Sequence, residues 1–560
     1  MVMPRAQSPG VSERLASVVL EVVAAGLYSF SLDGEGVLFD GRTGFTVPVS
    51  PALWAFLDDG RTGTDPHAAA RSIHPARAAS LLREIRRWQQ IGLLQSGPVD
   101  PLEAEPPTGI LSALLNVTHR CNLACAYCLM GHPALREGYG DRADTMSPDT
   151  ARRAVDYLAR HGVSEVNLCF FGGEPLLAFP LIEETVSYAD ATYPGRFRYA
   201  MITNGTTMND RVMEFLGRHR VGMMFSIDGH PGANDLLRKY RGRDRSVFAS
   251  AFAHYQALTR HCPDLPCKIN VTYFHPTLDL ARSLRFLLDQ GVRHLRFERG
   301  LAAAGGPMAL TLDDIETVQT ELTLMAGEYL DRLLGGSEVV IDNFVIFMKK
   351  LSDRLPRGRG CNLGIDYVSV APTGEVYACH KLIGMAEGSL GTLEQDHDPG
   401  RWREVWDQDV DHRPMCRTCW ARYVCGGYCA TDNLHATGEA TCPQPDPCAI
   451  IRKTVELSAW LCARLERERP AALKKILGPS YVALRDRPRR APDATRHFAM
   501  NASAGALWDD CDGQRSVAEL ARRFGERYGL GSAQARLVVR ETLARLRREG
   551  LVDAPPSEAM

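Results

Sequence analysis

The chain of 560 residues predicts an α/β protein built on a partial (βα)6 barrel of the TIM-like kind, with a cysteine-rich extension and small winged-helix α+β domains at both ends. Three observations predict it. Six short apolar runs between residues 110 and 300 (LLNVT, VNLCFF, YAMITN, MMFSID, KINVTYF and HLRFER) are each separated by room for a crossover helix, the alternation of a parallel sheet. Cysteines crowd into two places, a trio near residue 125 and a denser group from Cys361 to Cys448. Each end of the chain carries a strand-and-helix pattern of its own.

A length prior of about 150 residues per domain suggests three or four domains. Pro- and Glu-rich GPVDPLEAEPPT at 97–108 reads as a linker, with further breaks at 355–361 and at 484–492 (LRDRPRRAP). The boundaries expected are 11–98, 109–310, a pair of connecting helices over 311–355, 356–455, and 485–560, with residues 1–10 disordered. The stretch LASVVLEVVAAG after Arg14 is broken by Glu21 and followed by no polar cleavage region, so it reads as the start of a folded domain rather than a signal peptide. No run reaches the ~20 apolar residues of a membrane span.

Hydrophobic content of 45% and charge of 24% are ordinary for a soluble globular protein. A formal net charge of −2 offers no basic face for nucleic acid. In a chain this long, cysteine clusters read as metal sites before disulfides, which points to a reducing, cytoplasmic compartment.

Cys121, Cys125 and Cys128 lie in CNLACAYC, directly after the first predicted strand. Three thiolates on one tight loop can hold three irons of a cubane and leave the fourth open, whereas structural zinc takes four ligands in pairs. Tyr127 is suited to covering a cluster or an adenine ring. Phe170-Phe171-Gly172-Gly173-Glu174-Pro175 ends the second strand: paired glycines let backbone approach a ligand, and the carboxylate can receive an amino group. Thr203-Asn204-Gly205 and Ser226-Ile227-Asp228-Gly229 end the next two strands. All of these fall at the C-terminal rim, where barrel enzymes keep their chemistry.

CNLACAYC and FFGGEP resemble the CxxxCxΦC cluster motif and the SAM-amino motif of the radical S-adenosylmethionine (SAM) superfamily, over about residues 110–300. The resemblance implies a [4Fe–4S] cluster that reduces SAM to a 5′-deoxyadenosyl radical. It implies cofactor contacts from Tyr127, Gly172, Gly173, Glu174, Asn204, Ser226, Asp228 and Arg238, the last either a ribose or carboxylate contact or an ordinary surface charge.

The second field reads Cys361-x12-Gly374-x4-Cys379, then Cys416-x2-Cys419-x5-Cys425-x3-Cys429, then Cys448. Seven thiols are too many for one tetrahedral metal and suit two interleaved sites, two zinc ions being the main competitor to iron–sulfur. The spacing resembles the SPASM extension of radical SAM peptide-modifying enzymes, which implies two auxiliary [4Fe–4S] clusters. By that resemblance Cys416, Cys419, Cys425 and Cys448 hold one, and Cys361, Cys379 and Cys429 the other. No further cysteine lies in LSDRLPRGRG before Cys361; Cys442 either fills the gap or is a free thiol that leaves the position open. Sulfatase-maturing relatives carry an Asp after the cysteine matching Cys379, where this chain has His380. Cys169, Cys262, Cys267, Cys462 and Cys511 fit no pattern and are expected to be inert thiols.

Residues 490–555 contain Asn501, Leu507-Trp508, Cys511-Asp512-Gly513 and two helices with apolar residues at three and four, a winged-helix pattern that on its own would suggest DNA binding. It resembles PqqD, the peptide chaperone of pyrroloquinoline quinone biosynthesis, a recognition element that captures a leader peptide as an added strand. YSFSLDGEGVLFDGRTGFTVPV, with its alternating residues, carries a fainter echo of an N-terminal recognition domain.

Together these resemblances imply a radical SAM/SPASM maturase of a ribosomally made peptide (a RiPP) or protein, acting on Cα–H or Cβ–H bonds and forming a thioether crosslink. Carbon–carbon crosslinking and epimerisation are the alternative chemistries, and a non-catalytic peptide-delivery scaffold the alternative class. The partners implied are a precursor peptide or protein and an external electron donor of flavodoxin or ferredoxin type, with neither nucleic acid nor membrane.

Overall fold

The alternating run near Tyr28 folds as an antiparallel meander of β1 (Leu27–Leu32), β2 (Glu35–Asp40) and β3 (Phe45–Val49). A helix follows at Pro75–Gln90. The structure is a computed structural model; it describes 109–478 apart from 129–144, 303–305 and 354–356, most of 27–50 together with 53–54 and 74–90, and short pieces between 489 and 543. The apolar run at 15–26 and the linker at 97–108 lie outside the described residues.

Six strands run parallel and are neighbours in chain order: β4 (Ile110–Thr118), β5 (Gly162–Gly172), β6 (Phe197–Thr203), β7 (Gly222–Ser226), β8 (Cys267–Tyr273) and β9 (His294–Arg299). Each of the six predicted runs falls on one of them. Helices fill the crossovers for reasons visible in the sequence: Ser147, Asn209 and Ser246 each accept a backbone N–H at the start of Pro148–His161, Asp210–Arg218 and Val247–His261. Helix Leu280–Asp289 shows why they pack: Leu280, Leu284, Leu287 and Leu288 are buried while Arg282 and Arg285 face water. Burying each leucine contributes about 1.5–3 kcal/mol.

The sheet then grows at both edges. β10 (Val340–Ile341) pairs parallel with β9, and β11 (Tyr367–Val370) pairs parallel with β4. β12 (Glu375–Tyr377) and β13 (Ser389–Thr392) continue antiparallel from β11, giving the order β10-β9-β8-β7-β6-β5-β4-β11-β12-β13. The result is a mixed sheet with a parallel core and helices around it. Gly374, at φ +93, makes the turn from β11 to β12. That hairpin carries Cys379 on the same sheet whose β4 leads into Cys121.

Helix Pro445–Glu468, with Cys448 in its first turn, packs on helices Leu312–Leu334 and Asp342–Asp353. Its Leu457, Trp460, Leu461 and Leu465 join the main hydrophobic core. The same helix meets the N-terminal meander, where Tyr28 donates to Glu456 at 2.7 Å and stacks on Trp420 at 4.1 Å. In the last segment, helix Val517–Tyr528 packs Leu520, Ala521 and Phe524 against Val539 and Leu543. Asn501, Leu507, Trp508, Cys511 and 548–552 lie outside the described residues. Among the described residues no helix is long and apolar enough to cross a membrane.

Candidate active site

Three residues past β4 the chain enters the loop of Cys121, Cys125 and Cys128. The loop is fixed by backbone pairing to 237–241: Ala124 N–H donates to Lys239 O, Ala126 N–H to Leu237 O and Arg241 N–H to Asn122 O. Cys121 Sγ accepts from Leu123 N–H at 3.4 Å, and Asn204 Nδ2 lies 3.7 Å away. Asn204 also donates to Asn122 Oδ1 at 3.0 Å, so the strand end at 203–205 clasps the loop. Burial pushes the Cys125 thiol up to about 11 against the lowering pull of Arg238.

Gly172 and Gly173 bring backbone close to backbone. A Cβ on Gly172, at φ +141, would stand 2.1 Å from Thr118 O, and one on Gly173 would stand 2.4 Å from Arg120 O. Gly173 N–H donates to Thr118 O at 2.7 Å, and Glu174 N–H to Arg120 O at 2.9 Å. The approach expected toward a ligand is thus, in part, an approach to the strand that delivers Cys121. Glu174 is fully buried and accepts from Leu176 N–H, Thr203 Oγ1 and Asn204 N–H at 3.0, 2.7 and 2.7 Å. Burial pushes its carboxyl up, opposed by those three donors.

Asp228, Arg238 and Tyr127 form one unit. Arg238 grips Asp228 with two bonds of 2.7 and 3.1 Å, Tyr127 donates to Asp228 at 2.5 Å, and Thr272 N–H donates at 2.9 Å. Four donors use the four lone-pair sites of a carboxylate, so Asp228 positions Tyr127 and Arg238. Arg238 is 6% exposed, which corrects its reading as a surface charge. Burial works against its cation, but Asp228 and Tyr127 hold it well above the ordinary value. The Tyr127 ring packs against Phe274, centroids 4.6 Å apart. Ser226 ends β7 in register with Asn270 of β8. Asn270 is buried and its Oδ1 has no partner among the described residues, an acceptor that sequence reasoning missed.

The second field is assembled from distant pieces. Cys379 follows β12; Cys429 precedes helix Ala430–Thr437; Cys416 and Cys425 sit on single helical turns. Cys361 is electrostatically coupled to Cys429 and Cys379, whereas Cys448 is coupled to Cys425, Cys416 and Cys419. Cys416 feels Cys442 as well. Among the described residues no three His, Cys, Asp or Glu side chains converge as a single-ion site requires.

Left-handed backbone makes this assembly possible. Gly426, Gly427 and Tyr428 all have positive φ, at +80, +92 and +65. A Cβ on Gly426 would lie 2.4 Å from Gly360 N, so the glycines let the Cys425 turn press on the segment entering Cys361. Tyr428 adopts that conformation at a cost of about 1–3 kcal/mol. Its hydroxyl donates to Asp432 at 3.1 Å and accepts from Arg299, at the end of β9, at 3.3 Å. A cavity beside Cys361 is lined by Trp402, Trp406, Arg413, Gly426 and Tyr428. The buried Trp402 indole N–H has no partner among the described residues. His380, next to Cys379, reaches the end of β5: its ring lies 5.1 Å from Phe171, and its Nδ1 is 3.0 Å from Tyr367 Oη. Burial lowers its pKa to about 4.

Residues 115–287 match the Radical SAM superfamily, and residues 491–552 match coenzyme PQQ synthesis protein D (PqqD). The chain carries a radical SAM domain joined to a PqqD-like domain. It is similar to the serine-type anaerobic sulfatase-maturating enzyme of Klebsiella aerogenes, 26% identical over 60% of this chain and 84% of that one. It is also similar to the PqqA peptide cyclase of Bradyrhizobium diazoefficiens, 24% identical over 66% of this chain and 93% of the relative. In fold it resembles native anSMEcpe with bound AdoMet, at TM-score 0.54 and 17% identity, covering 63% of this chain and 98% of that structure. Of the unpatterned thiols, burial pushes Cys169 and Cys267 up to about 12.

Proposed function

We propose that the chain is a maturase that modifies a ribosomally made peptide, with SAM and three [4Fe–4S] clusters as cofactors and a thioether crosslink as product. When bound and reduced, SAM supplies a 5′-deoxyadenosyl radical that takes a hydrogen atom from the substrate. In this reading Cys121, Cys125 and Cys128 hold the SAM-binding cluster. Glu174 and the backbone of Gly172 and Gly173 receive the amino group, while Ser226, Asn204 and the partnerless Asn270 Oδ1 face polar groups of the cofactor. Asp228 acts through Tyr127 and Arg238.

Cys416, Cys419, Cys425 and Cys448 hold one auxiliary cluster; Cys361, Cys379 and Cys429 hold the other. The donor set fits: soft thiolates in two groups, with a buried indole N–H beside Cys361 suited to a cluster sulfur. The observation that carries the thioether reading is the neighbourhood of Cys442. Its charge acts on Cys416, while the thiols that raise Cys361 are Cys429 and Cys379; we take the three-thiol group to have no fourth cysteine of its own. A position left open there suits a substrate thiol, which an iron Lewis acid can bind and deprotonate. Residues 485–560 capture the leader by strand addition, the N-terminal meander serves as a second recognition surface, and a cytoplasmic flavodoxin or ferredoxin supplies electrons.

Anaerobically reconstituted protein should carry about twelve irons. Cys442→Ala should keep that iron and its product. If the variant loses iron and stops modifying peptide, while a thiol-bearing peptide leaves the cluster spectrum unchanged, the open-site reading is wrong.

A further inference from the structure

The outer face of the cysteine loop is strongly basic although the whole chain carries a net charge of only −2. The segment paired with the loop reads Leu236-Leu237-Arg238-Lys239-Tyr240-Arg241 and continues to Arg243 and Arg245. Lys239, Arg241, Arg243 and Arg245 are exposed, as is Arg120 just before Cys121. Arg241 Nε donates to Cys121 O at 3.1 Å, and Arg245 lies over the Tyr240 ring at 4.9 Å. None of the five cations is ion-paired among the described residues. The one exposed carboxylate within 239–245 is Asp244.

Between these cations the surface is small and apolar. Ala124 and Ala126 are exposed on the loop, and Leu236 beside them is 53% exposed. Two alanines keep a partner's approach to the thiols short, and electron transfer weakens steeply with distance. An apolar centre with a charged rim is the build of a transient docking surface. Rim charges act mainly on encounter rate and salt dependence.

We propose that Lys239, Arg241, Arg243 and Arg245, with Arg120, form the docking surface for an acidic one-electron carrier protein that delivers electrons through the Cys121–Cys128 loop. The proposal rests on the reading of that loop as the cluster site. At each encounter the carrier gives up one electron, which is received at the site the three thiols hold; no group is transferred. An acidic segment of the precursor peptide is the rival occupant. It is disfavoured because the small apolar centre is formed by Ala124 and Ala126 on either side of Cys125, where a carrier comes close to the thiols.

The test uses the full-length chain and a Lys239→Glu/Arg243→Glu variant, neither side chain being bonded to the loop. Binding of oxidised flavodoxin, followed by flavin fluorescence without turnover, should weaken about tenfold in the variant at low salt. Raising salt from about 50 to 300 mM should weaken wild type to a similar degree, because exposed charges are screened. SAM cleavage driven by reduced flavodoxin should fall with the binding, while cleavage driven by dithionite stays within about twofold. Unchanged flavodoxin binding, equal losses with both reductants, or a variant that loses precursor peptide instead would overturn the proposal. Wild type that binds flavodoxin but cleaves no SAM with either reductant would sink the loop reading itself, separably from the surface.

Discussion

The two thiol fields solve the same problem with opposite economies of chain. Cys121, Cys125 and Cys128 occupy eight consecutive residues on one loop, held by backbone pairing to 237–241 and by the close approach of Gly172 and Gly173 to 118–120. The thiols from Cys361 to Cys448 come from two loops, a hairpin end, two helical turns and two helix starts, and left-handed backbone at 426–428 presses the Cys425 turn on the segment entering Cys361. The first field is local and leans on the barrel. The second is assembled, so its parts can be reached separately by substitution.

The largest expected effect follows from that independence. Replacing Cys121, Cys125 and Cys128 together by Ala should abolish SAM cleavage and leave about two thirds of the iron, roughly eight of twelve, measured by iron analysis and electron paramagnetic resonance. If all iron is lost, the two fields are not independent and the contrast fails.

A matched pair of glycine substitutions sharpens it. Gly172→Ala forces a Cβ against Thr118 O, and Gly426→Ala forces one against Gly360 N, each at positive φ. The first should weaken SAM binding about tenfold or more while sparing auxiliary iron; the second should do the reverse. Equilibrium dialysis of SAM and cluster spectra read the two outcomes. Identical phenotypes would show one cooperative unit.

A smaller effect is expected away from both fields. Deleting residues 485–560 should weaken precursor-peptide affinity about tenfold and leave uncoupled SAM cleavage intact, since capture by strand addition is separate from barrel chemistry. Equal modification rates at sub-saturating peptide would remove that segment from the account and turn attention to β1–β3.

The local field was nearly legible in sequence, and the assembled one was legible only as a list of thiols. Six apolar runs with helical spacers marked the strands because period and length are properties of the chain itself. CNLACAYC announced a loop site for the same reason. The partners of Asp228 were hidden: Arg238 lies ten residues downstream and Thr272 on the next strand, and nothing in either letter says that they meet. Spacing left Cys442 open between ligand and free thiol because spacing does not fix the path of the loop from Thr437 to Cys448. Tyr428 carried no signal at all, since a left-handed tyrosine is legible only from backbone angles. The paired glycines were read correctly as places of close approach, but the nearest thing approached is the chain's own backbone.

The smallest effect tests whether the N-terminal edge of the parallel sheet is indifferent to both thiol fields. Asp342, at the start of its helix, binds His294 of β9 at 2.8 Å and Lys268 of β8 at 3.0 Å, away from the rim where the thiols lie. Burial alone would push its carboxyl up, but the His294 hydrogen bond and the Lys268 cation bring it down to about 2. Its unfolded pKa is about 3.9. A carboxyl depressed on folding adds stability that is present above about pH 4 and is lost as pH falls through 2, worth about 2 kcal/mol. Asp342→Asn should therefore lower stability to denaturant by about that amount at neutral pH. It should also flatten the acid dependence between about pH 4 and 2, with iron content and SAM cleavage unchanged. A loss of iron in that variant, at a pH where the protein remains folded, would mean that this edge of the sheet is coupled to one of the thiol fields. The auxiliary iron would then show which, because Asp342 begins the helix whose Lys350 donates to Val424 O at 3.0 Å, one residue before Cys425.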